Sequence, residues 1–274
     1  MNVHTPSHDD SMTARLIFEI SQPLNFLGYA RSRLSPEKSY LWSREVESLF
    51  ALDEPLDTVL TRIPVPIGEE VGPFKRSFEA DWPVFRLELF RFKENLESLW
   101  KSNQQRILSM MKELWLFHEG SLEVFPVMPF FRSWPRSTPL SMPILDQHDQ
   151  KTLELLIHEV LHRTTESDHP QSIWRYLRMV FTIKRIPTQS RFLMQHAFIY
   201  TAASWIGALA LEKEFQRPHL TQETSDQEQF IEMDEYMHFL FPFFSSELKA
   251  DNPMILAEDI VECCQQDKKC QDDH

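Results

Sequence analysis

Residues 151–166 read KTLELLIHEVLHRTTE, and the expected fold turns on them. Leu153, Leu156 and Val160 recur at steps of three and four, and Leu155, Ile157 and Leu161 flank them. That is the period of a helix buried over most of its girth. Asp146 or Asp149 can serve as N-cap and Pro170 lies just past the end, which predicts a helix over about 149–166. Within it His158 and His162 are four apart, so both imidazoles leave one face a turn apart. Glu159 is turned about 100° from His158.

Upstream of this helix, Ser121 to Phe131 (SLEVFPVMPFF) is rich in β-formers and reads as a strand, with Pro126 and Pro129 confining it to a sheet edge. A second strand is left open between Val59 and Phe78. From Ala80 to Phe117, Phe85, Leu89, Phe92, Leu96, Leu99 and Trp100 mark a long helix, closed near Gly120. Residues 12–63 read as short helices broken at Pro23, Pro36 and Pro55. Further helices are expected at about 171–184, 189–216, 226–241 and 253–266. The fold class is therefore mainly α (α+β). A helical N-terminal region, 1–110, is expected to pack on a second region, 111–274, that carries a small edge-stranded sheet and the motif helix.

Composition narrows the function classes. With 21 Phe and 7 Trp the chain can fill a sizeable core, and 5 Gly against 18 Pro fits helices joined by proline-bearing loops. A net charge of −13 disfavours nucleic acid and anionic membrane as partners. Cys263, Cys264 and Cys270 form neither a disulfide framework nor a cysteine metal site, and read as plain thiols on a frayed terminus. Met1 to Asp10 lacks the pattern of a secretory signal and no apolar run reaches about 18 residues, so a cytoplasmic location is expected. The oligomeric state is left open.

The chemistry suggested by the motif is zinc chemistry. Two imidazole nitrogens four residues apart can each sit about 2 Å from one Zn²⁺. Glu159 then lies beside the metal-bound water and takes its proton, while the ion lowers the water's pKa toward about 7. The sequence His158-Glu159-Val160-Leu161-His162 resembles the signature of the zincin metallopeptidases, HExxH on an active-site helix beside an edge strand. The resemblance covers about residues 120–215 and is specific at five positions. Arg163, where the flank is usually uncharged, departs from it. It implies a zinc-dependent hydrolase, and a peptidase first.

Three positions compete for the third metal ligand. Asp168 matches the metzincin spacing, but Thr165 stands where that pattern needs Gly. Glu212 matches the gluzincin placement on a later helix. His196, in the first turns of the apolar stretch RFLMQHAFIYTAASWIGALAL, is the choice, because an imidazole there needs a reason. Tyr200, one turn on, would stabilise an oxyanion. An edge strand at 121–131 would pair with an extended peptide, which favours a peptide or protein substrate. From His169 to Leu211 there is no Asp or Glu, whereas Arg175, Arg178, Lys184, Arg185 and Arg191 all lie there, either a rim for acidic substrates or a solvated face. Two rivals stand beside this reading. One is a ferritin-like di-iron oxidase using Glu159/His162 and Glu235/His238, with Glu119 and Glu212. The other is a non-enzymatic helical protein with a partner surface at Phe239, Phe241, Phe243 and Phe244.

Overall fold

The structure, a computed structural model, describes residues 15–34, 43–51, 54–130, 136–144, 148–218, 228–245 and 252–265. Asp146, Cys270, Pro36 and the N-terminal histidines lie outside them. The described chain is mainly helical, with a small sheet. It divides into two compact units that interleave along the sequence. One, the sheet unit, takes residues 15–102 and 120–159. The other, the helical unit, takes 103–119 and the chain from Val160 onward.

The sheet unit opens with strand β1 (Arg15–Phe18), followed by helices α1 (Gln22–Arg31), α2 (Arg44–Phe50), α3 (Leu56–Arg62) and α4 (Val65–Val71). Helix α5 (Lys75–Glu113) begins here and ends in the helical unit. The expected strand between Val59 and Phe78 is thus helix: Pro64 is the N-cap of α4 and Pro66 sits in its first turn, where a missing N–H costs nothing. β1 falls in a stretch that the sequence reading assigned to helix. Strands β2 (Ser121–Val127), β3 (Arg136–Ser137) and β4 (Leu140–Pro143) complete a sheet of order β1-β2-β4-β3. β1, β2 and β4 are parallel, and β3 pairs antiparallel with β4.

β2 is therefore internal, which corrects the expectation of an edge strand. The proline argument fails for a local reason. β1 pairs only as far as Phe18 opposite Val124, and Glu19 N–H closes on the Val124 carbonyl. The Val127 carbonyl turns to the other neighbour, accepting from Ile144 N–H at 2.9 Å. Backbone direction alternates along a strand, so Pro126 faces the β1 side just past the point where β1 has ended. The missing N–H meets no partner strand there. Asn25 of α1 takes its place: Nδ2 donates to the Pro126 carbonyl (3.2 Å) and to the Ser21 carbonyl (2.9 Å), and Oδ1 accepts from Met128 N–H (2.8 Å). Against this sheet, Phe26 and Tyr29 of α1 meet Phe78 of α5 edge-on at 5.4 Å, and Phe130 meets Tyr29 at 5.5 Å. A Cβ on Gly28 would come within 3.2 Å of the Phe130 ring, so a larger residue there would push that ring back by a few tenths of an ångström.

The helical unit contains α7 (Ile173–Ile183), α8 (Thr188–Ala210), α9 (Glu228–Ser245) and α10 (Pro253–Cys263). Helix α8 is buried on nearly every side from Leu193 to Ala210. Phe198 meets Trp174 of α7 at 5.6 Å and Phe244 of α9 at 5.8 Å. Phe244 is thus core rather than part of an exposed partner surface. Cys264 is buried too, and burial pushes its thiol far above the usual range, so neither it nor Cys263, the last residue of α10, belongs to a frayed end.

Three helix ends are closed by left-handed residues that are not glycine: Trp115 (φ 55°), Arg185 (φ 54°) and Glu212 (φ 54°). After each, the next N–H reaches back five residues, from Leu116 to Met111, Ile186 to Phe181 and Lys213 to Ala208, at 2.8–2.9 Å. These are Schellman closures. They end α5 before Gly120 and α8 before residue 216, where the sequence reading placed the ends.

Candidate active site

Helix α6 (Asp149–Thr164) carries the motif without a break. Asp149 lies in its first turn, where a carboxylate suits the positive end of the helix dipole, rather than at the cap. Leu153, Leu156, Ile157, Val160 and Leu161 are fully buried, as their spacing requires. The division between the units falls inside this helix, after Glu159.

On the sheet-unit side, His158 and Glu159 are each 6% exposed. The His158 Nε2 lies 3.8 Å from a Glu159 carboxylate oxygen. At that distance the two groups attract electrostatically without a hydrogen bond between them. On the helical-unit side, His162 is half-buried, and its ring centroid lies 4.8 Å from that of His196 on α8. The His196 ring is also 4.2 Å from Phe192, and its Nδ1 is 3.3 Å from the Phe192 carbonyl. Tyr200 follows one turn later on α8 and is half-buried.

The end of α6 is held in the helical unit by Trp174, whose indole N–H donates to the Thr164 hydroxyl at 2.8 Å. That hydroxyl donates in turn to the Leu161 carbonyl at 2.6 Å. His118, which follows α5, lies within electrostatic reach of Arg163 and Glu166. Burial, with the Arg163 charge adding to it, holds the His118 imidazole below its usual range, and its buried Nε2 has no hydrogen-bond partner among the described residues. Neither Trp174 nor His118 was singled out from the sequence. A tryptophan ten residues after a threonine carries no signal of its own.

The structure thus brings His162 to His196, and His158 to Glu159. Among the described residues, no three His, Cys, Asp or Glu side chains converge into a group able to hold a metal ion. The competing ligands lie elsewhere. Asp168 is exposed, and Glu212 closes α8 while accepting from Arg106 at 2.5 Å. The di-iron arrangement loses its footing as well, because Glu235, His238 and Glu119 are all exposed, whereas that chemistry needs carboxylates inside a bundle. Of the basic stretch, Lys184 pairs with Glu262, and Arg191 donates to the Ile186 and Phe181 carbonyls at the end of α7. Arg175, Arg178 and Arg185 are exposed.

No helix among the described residues is long and apolar enough to cross a membrane. In comparison with known proteins, no family model, no curated protein and no solved structure matches this chain.

Proposed function

We propose a zinc-dependent hydrolase of the peptidase kind, with His158, His162 and His196 as metal ligands and Glu159 as general base. The observation that carries this reading is the ring contact between His162 and His196, residues picked as ligands on sequence grounds and 34 positions apart. The donor set fits zinc in kind, since imidazoles are among its preferred ligands, and a two-histidine contact is in place.

When bound, the ion would acidify a water and polarise a carbonyl. The chain's own residues would do the rest. Glu159, shielded from solvent beside His158, would take a proton at its carboxylate. Tyr200, one turn from His196, would donate its hydroxyl to a developing oxyanion. With β2 inside the sheet, strand addition at 121–131 no longer supports a peptide substrate, which now rests on the motif alone.

One observation favours a second reading. The 6% exposure of both His158 and Glu159 suits a structural role in a non-enzymatic helical protein. The two readings separate on metal content and on one conservative variant. Purified protein dialysed against zinc should retain one ion per chain, and His162→Ala and His196→Ala should lose it. Glu159→Gln should keep the ion and lose at least 100-fold in hydrolysis of a peptide library. Protein that retains no zinc, or a Glu159→Gln variant with unchanged hydrolysis, overturns the hydrolase reading.

A further inference from the structure

The sheet unit contains a groove of about 470 Å³, within the size range that encloses small organic molecules. None of its lining residues belongs to the motif. Its floor is one face of α5, where Trp82, Arg86, Phe90 and Lys93 follow at steps of four, four and three. Ile20 and Pro55 are among the remaining lining, which Gln22 and Glu54 complete. The wall is therefore aromatic and aliphatic, with a few polar groups set into it.

The charges in this groove are not equivalent. Lys93 donates to Glu97 at 2.8 Å, and that contact lowers the Glu97 carboxyl below its usual range. Glu54 is held in an ion pair with Arg62. Arg86, by contrast, is exposed and makes no hydrogen bond or ion pair among the described residues. It stands between two aromatic side chains, one helical turn from each, in a chain of net charge −13. A guanidinium offers a planar fork of donors matched to a carboxylate, and the flanking rings offer stacking area.

We propose that this groove binds a small organic anion, a single carboxylate on an aromatic body, with the carboxylate on Arg86 and the ring against Trp82 and Phe90. The stored positive charge selects the anion, and the rings select an aromatic rather than a fully hydrated one such as phosphate. A bicyclic aromatic body such as naphthalene fits within the groove's volume.

The test is a ligand-observed NMR titration of the full chain with 2-naphthoate, 2-naphthylmethanol and 2-naphthylmethylamine, which share a ring system and differ in charge. Naphthoate should bind at least tenfold more tightly than the alcohol or the amine. Arg86→Gln, at an exposed position without partners among the described residues, should fold as the parent does. It should weaken naphthoate about tenfold, the loss of one charge-assisted contact, and leave the alcohol unchanged. Equal binding of the three probes, an unaltered naphthoate affinity in Arg86→Gln, or tighter binding of an acidic hexapeptide than of naphthoate would each overturn the proposal.

Discussion

Asn25→Ala tests the sheet reading most directly. The Asn25 side chain is 1% exposed and serves three backbone groups. The Ser21 carbonyl keeps a partner in the variant, because it also accepts from the Asn25 backbone N–H at 3.2 Å. The buried Pro126 carbonyl and the half-buried Met128 N–H lose theirs. Stranding a buried acceptor costs about 2 kcal/mol, and stranding a partly wetted donor about 1, for a total of about 3 kcal/mol. In a chain of this size that lowers Tm by roughly 6–12 °C. Urea unfolding followed by circular dichroism reads the free energy. Amide hydrogen exchange at Met128 reads the cause, since its protection should fall in the variant before global unfolding. A loss below about 1 kcal/mol, or unchanged protection at Met128, would show that Asn25 does not complete the sheet.

Two further outcomes are expected. Arg185→Gly should raise stability by about 1 kcal/mol, because glycine relieves the left-handed backbone at the end of α7 where an L side chain is disfavoured. A thermal melt checks it, and a lower Tm would count against the Schellman closure. His118 contributes a pH dependence of defined sign. Its folded pKa lies below the ordinary imidazole value, so the unfolded chain binds the extra proton first. Its contribution is present above about pH 6.5 and is lost as pH falls through the folded value. His118→Gln should flatten the fall in Tm between pH 7.5 and 5.5, and an unchanged slope would remove His118 from the account.

What the sequence made legible follows from where the signal was local. The periods of Leu153–Leu161 and Phe85–Trp100 reflect faces of single helices, and α6 and α5 lie where those periods put them. Their ends were less legible, because Trp115 and Glu212 terminate helices in a conformation usually left to glycine. Pro64 and Pro66 could equally open a helix or interrupt a strand, and nothing nearby decides between them. Four residues of β1 give too short a pattern to outweigh the helical texture around them. At the site, the pairing of His162 with a distant His196 could be argued from the oddity of an imidazole in an apolar helix. The depth at which His158 and Glu159 lie could not, since it depends on what packs over them.

Pro126 carries a consequence for how the chain finds its pairing. If β1 slid two residues along β2, the Ile17 carbonyl would meet the Pro126 nitrogen in place of the Val124 N–H and would find no N–H to bind. The Asn25 amide already occupies that berth. The imino acid thus works as a detent: it penalises a misaligned ladder that leaves the inward and outward faces of β1 unchanged, an error that hydrophobic alternation alone would not detect.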